Sequence, residues 1–85
     1  MGLLIKATWS QMDDGVRLHL GTMLVARVYY AGVIELSIQY GDRIPQKSFD
    51  DAVDECKRRV MNLIDKLSPA IVIEWPDDPK EIENE

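Results

Sequence analysis

The chain holds one histidine, His19, and one cysteine, Cys56. Any nucleophile–histidine catalysis would therefore run through His19, and any thiolate chemistry through Cys56. His19 stands between Leu18 and Leu20 in a stretch where Val16, Leu18 and Leu20 alternate, so it points away from the apolar side of a strand. That makes it a surface residue. Cys56 falls on an apolar helical face, where a thiol acts as a small hydrophobe and lacks the exposure that thiolate chemistry requires. A single Cys and a single His also supply neither a disulfide framework nor a four-ligand zinc site. The paired acids Asp13-Asp14, Asp50-Asp51 and Asp77-Asp78 fall in a turn, a helix start and a tail, and no calcium-loop spacing joins them. Gly15, Gly21, Gly32 and Gly41 are separated turn residues and form no phosphate loop. These residues predict a non-enzyme without metal or cofactor.

The remaining chemistry is that of a binding surface, and strands must position it. Residues 3–9 alternate, with Leu3, Ile5, Ala7 and Trp9 on one side, which predicts a first strand with one buried face. Gln11 to Gly15 supply a turn, with Gly15 as the residue that accepts positive φ. Residues 16–20 form a second strand, 23–30 a third and 33–40 a fourth, joined by Gly21-Thr22 and Ala31-Gly32. In the third strand Leu24, Ala26, Val28 and Tyr30 share one face, and Met23, Val25, Arg27 and Tyr29 the other. A loop over 41–47 leads to a helix from about Ser48, whose Ser48 and Asp51 have capping-box spacing. Phe49, Ala52, Val53, Cys56, Val60, Leu63, Ile64 and Leu67 follow at helical spacing, and Ser68-Pro69 ends the element. Residues 70–75 read as a short fifth strand or an extended segment along the sheet.

The expected fold is α+β: a four-stranded antiparallel meander with one helix across one face, in a single domain over residues 1–75. If Leu24, Ala26, Val28, Ile34, Leu36 and Ile38 meet the helix, the other face is uncovered. It would carry Lys6, Thr8, Arg17, His19, Val25, Arg27, Tyr29, Glu35, Ser37 and Gln39. Arginine, tyrosine and exposed apolar residues are types enriched at binding surfaces. The candidate partner-binding residues are thus Arg17, His19, Val25, Arg27 and Tyr29.

The chain of 85 residues carries 10 basic and 15 acidic side chains, a net charge of −5. Residues 76–85 hold five acids against one Lys, which leaves residues 1–75 with 10 acids and 9 bases. The body is close to neutral, and 76–85 is expected to be an acidic disordered tail. The longest nearly apolar stretch, 23–34, is 12 residues long, whereas a membrane span needs about 20. The start Met1-Gly2-Leu3-Leu4-Ile5-Lys6 has no signal-peptide pattern, and Lys6 stands where a myristoylation motif wants Ser or Thr. A cytoplasmic location is expected.

Trp9, Arg17-Leu18-His19-Leu20-Gly21, Leu24-Val25-Ala26-Arg27-Val28 and Ser48-Phe49-Asp50-Asp51-Ala52 together resemble small bacteriophage and prophage accessory proteins of three strands and a helix. The resemblance covers about positions 5–67 and has no catalytic motif. It implies stoichiometric binding to a host or phage protein, as in anti-CRISPR and other anti-defence inhibitors. The strand order also distantly resembles AP2 and phage-integrase arm-binding domains, whose sheet enters a DNA groove, although this loop before the helix is longer and the chain is acidic. The leading expectation is a protein-binding module, with a homodimer as a further form of association. The second is a nucleic-acid-binding module using the same Lys/Arg-bearing face.

Overall fold

A computed structural model describes residues 2–37 and 42–80 of the chain. Its helix, α1, spans Phe49–Leu67. Ser48 caps it: the backbone is extended there, and the side-chain oxygen accepts from the Asp51 N–H at 3.2 Å. Asp50 and Asp51 in the first turn and Lys66 in the last suit the helix dipole. Phe49, Ala52, Val53, Cys56, Val60 and Ile64 form its buried stripe, and the helix stops at Ser68, before Pro69.

The sheet has six strands in the order β5-β4-β3-β2-β1-β6. They are β1 Leu3–Gln11, β2 Gly15–Leu20, β3 Met23–Tyr29, β4 Val33–Leu36, β5 Asp42–Pro45 and β6 Ile71–Glu74. From β1 to β5 the chain makes an antiparallel meander, one strand longer than the four that its alternation predicts. β6 differs. It returns from the helix and pairs parallel to β1, with Leu3 opposite Ile71 and Ile5 opposite Ile73, so the sheet is mixed. The extended segment over 70–75 is thereby a strand of the same chain. β5 replaces part of the expected loop over 41–47; β4, expected to run to Tyr40, ends at Leu36 with Ser37 already outside the strand, and Ile38, Gln39 and Tyr40 lie outside the described residues.

Two local features depart from simple alternation. Leu18 faces Ala26 while His19 faces Leu24, so Val25 is an extra residue between the two pairs, a β-bulge. The bulge resets the phase of β3 by one. Val25 is fully buried, and Leu24, which stands opposite His19, is left partly exposed. Gly15 is the second case. It is buried at the start of β2 and has no positive φ; a Cβ there would lie 2.2 Å from the Val28 carbonyl oxygen, so the close approach of β3 requires glycine. The glycines that take the left-handed region are Gly21, with φ +62° between β2 and β3, and Gly32, with φ +93° in the turn between β3 and β4.

One face of the sheet carries the core. Ala7, Val16, Leu18, Ala26, Val28, Ile34 and Leu36 are buried under α1, and Tyr30 meets Phe49 edge-on with ring centroids 5.1 Å apart. Past β6, residues 76–80 have no regular secondary structure, yet Asp78 reaches Lys57 of the helix at 2.7 Å. Lys57 also lies 5.4 Å from the ring centre of Trp75, which packs beside Trp9. The start of the expected tail thus lies against the body; residues 81–85 lie outside the described residues.

Candidate functional site

α1 packs on one side of the sheet, and the strand registers show what the other side presents. Ser10 faces Arg17, Arg17 faces Arg27, Arg27 faces Glu35, and Glu35 faces Arg43, so one row crosses five adjacent strands. Strands lie about 4.8 Å apart, which spaces Arg17 and Arg43, three strands apart, by roughly 14 Å across the row. Three arginines and one glutamate give the row a net charge of +2.

The charges in the row are unevenly matched. Arg27 donates to the Glu35 carboxylate at 3.0 Å, and both side chains are only partly exposed. Arg17 is exposed and stands directly opposite Arg27, a like-charge pair that disfavours the sheet by a few tenths of a kcal/mol up to about 1. Arg43 lies over the Tyr29 ring, 5.5 Å from its centre. Beyond this pair a shallow cavity of about 550 Å³ is lined by Asp14, Tyr29, Tyr30, Ala31, Val33 and Arg43. It offers an aromatic wall with one carboxylate and one guanidinium.

Arg17, Arg27 and Tyr29 therefore share the open face, as their alternation predicts, and His19 lies on it one row away, between Thr8 and Leu24. Val25 does not. The expectation that it belongs to this surface is corrected by the bulge, which sends it into the core. Arg43 is the member that sequence reasoning missed, because the stretch Asp42-Arg43-Ile44-Pro45 has a single strongly apolar residue and ends in proline. Its available signal was Ile44 flanked by polar residues; such a short proline-bounded run is acceptable at a sheet edge.

The basic run Lys57-Arg58-Arg59 on α1, by contrast, is engaged. Glu55 receives Arg58 at 2.9 Å and Arg59 at 2.7 Å, and the Arg58 hydrogen bond, aided by Arg59, holds its carboxyl below the usual range. Lys57 is taken by Asp78, so each member of the Lys57-Arg58-Arg59 run has a carboxylate. Burial pushes the Cys56 thiol up to about 12, so it stays protonated at neutral pH. Among the described residues, no three His, Cys, Asp or Glu side chains gather as a metal site, and no helix is long and apolar enough to cross a membrane. No protein-family description, curated protein or solved structure matches the chain.

Proposed function

We propose that the protein is a non-catalytic module that binds an acidic surface of another protein through the open face of its sheet. The observation that carries this reading is the Arg17–Arg27 pair: two arginines directly paired across β2 and β3 on the face that α1 leaves open, with Arg17 in no ion pair among the described residues. A carboxylate from outside would relieve that repulsion and form charge-assisted hydrogen bonds. Tyr29 supplies the rigid aromatic contact beside it, and His19 extends the polar rim. The resemblance to phage accessory proteins supports a stoichiometric inhibitor as the form such binding takes, with a cytoplasmic protein of the host or phage as its target.

The row of arginines also favours a second reading, contact with nucleic-acid phosphates. Its scale is small. Neutralising two or three phosphates gives a salt slope of only about −2 to −3, against the steep dependence of a basic duplex-binding domain. The acidic protein surface is therefore the better match to a row in which Glu35 is already embedded.

Affinity capture from a bacterial lysate tests the reading, with the wild type compared against Arg27→Glu combined with Tyr29→Ala. A protein retained by the wild type and lost by the double variant, with unchanged circular dichroism, is the expected result. Equal capture by both would refute it. Titration of duplex and single-stranded DNA and RNA at low salt separates the second reading, since phosphate-driven binding must appear there and weaken as salt rises.

A further inference from the structure

The two edges of the sheet are built differently. β5 carries Asp42, Arg43 and Pro45, the charge and proline that keep an edge strand from recruiting another chain. β6 has the sequence Ile71-Val72-Ile73-Glu74, with its single charge at the end and no proline. Its hydrogen-bonding phase is fixed by Leu3, whose N–H donates to the Ala70 carbonyl at 2.9 Å. Bonding groups alternate along a parallel ladder, so Val72 and Glu74 turn theirs toward β1, and Ile71 and Ile73 turn theirs away. The Ile71 N–H is taken by the Ser68 carbonyl at 3.2 Å. The Ile71 C=O and both main-chain groups of Ile73 remain on the side where the sheet ends.

Apolar surface gathers along the same edge. Of the six large hydrophobic residues left exposed among the described residues, Leu3, Leu4 and Val72 lie on β1 and β6, and Met61 and Leu67 lie on the later part of α1, which leads into β6. Leu4 stands opposite Val72 on the outer face. Between helix and strand runs a groove of about 210 Å³ whose walls include Met61, Ile64, Ile71, Ile73 and Trp75. The unsatisfied backbone groups call for an extended strand, and the side chains call for an apolar one.

The strand itself meets that description, because Ile71-Val72-Ile73 reads the same in both directions. An antiparallel copy related by a two-fold axis through Val72 sets Ile71 of each chain against Ile73 of the other, and Val72 against Val72. Each Ile73 N–H then faces the Ile71 C=O of the opposite copy. Glu74 falls opposite Ala70, whereas parallel pairing would oppose Glu74 to Glu74. We infer that a second copy of this chain docks antiparallel on β6, joining two six-stranded sheets into one, with both helices on the same side. The inference stands apart from the partner reading. Its geometric consequence is that the two open faces lie side by side.

Sedimentation equilibrium of the full chain tests it, with a mass of twice 9.7 kDa expected at a concentration of about 0.1–1 mM. Val72→Lys places two ammonium groups opposite each other at an exposed position and should weaken association by about tenfold or more. Mixing Val72→Lys with Val72→Glu should restore the doubled mass. Independently of those variants, Val72→Cys should give a disulfide-linked dimer on mild oxidation, since facing Cα atoms at a non-hydrogen-bonded antiparallel pair lie about 4.5 Å apart. The buried Cys56 does not compete in that reaction. A wild-type mass of 9.7 kDa throughout that range, a dimer indifferent to Val72→Lys, or no cross-link through Val72→Cys would each overturn the proposal.

Discussion

Val25 and Arg27 are two residues apart on one strand, and simple alternation places them on the same face; the structure places one in the core and the other in the open row. The covered face is held by apolar contact: Leu18, Val25, Val28, Ile34 and Leu36 are fully buried there. The open face is held by almost nothing of its own. Its one ion pair among the described residues, Arg27 with Glu35, is partly exposed and contributes at most about 1 kcal/mol, and the opposition of Arg17 to Arg27 works against the sheet. On the proposed reading, stability and recognition fall on opposite sides of one layer, and substitutions on the two sides should separate them.

The largest effect is expected at the bulge. Val25→Lys would bury a charge with no partner and should destabilise the fold by about 3–5 kcal/mol or leave it unfolded, read from the chemical-denaturation midpoint. A loss under 1 kcal/mol would mean that Val25 lies on the surface after all. Next comes the helix that covers the core. Ser48→Ala removes the cap on the Asp51 N–H and should cost about 1 kcal/mol, while Ser48→Asp should restore most of it. The smallest effect belongs to the open face, where Arg27→Ala should change stability by less than about 1 kcal/mol in the same denaturation assay.

How much of this was legible in the residues follows from which forces act locally. The helix was readable to within one residue of each end because Ser48, the apolar stripe and Ser68-Pro69 all encode it in neighbouring positions. β1, β2 and β3 were readable from alternation. The bulge was not, since Met23 to Val28 is apolar on both faces apart from Arg27, and only pairing with β2 shows where the extra residue falls. β5 and the parallel placement of β6 depend on contacts distant in sequence, where a four-residue strand carries little pattern of its own. For the same reason Arg17, Arg27 and Tyr29 could be put on one face from the sequence, whereas Arg43 and the continuous row required the tertiary pairing. Gly15 shows the same limit: it occupies the position expected of a turn glycine, but close approach to Val28 is what demands it.

If the open row is kept for a partner and not for the fold, Arg17→Glu should uncouple the two. The substitution converts the like-charge pair with Arg27 into an opposite-charge pair on an exposed face. Denaturation and capture of the acidic partner should be measured on the same preparation. The fold should be as stable as the wild type or more stable by up to about 1 kcal/mol, and the partner should be lost. A variant that keeps the partner at wild-type levels would contradict that role of the row.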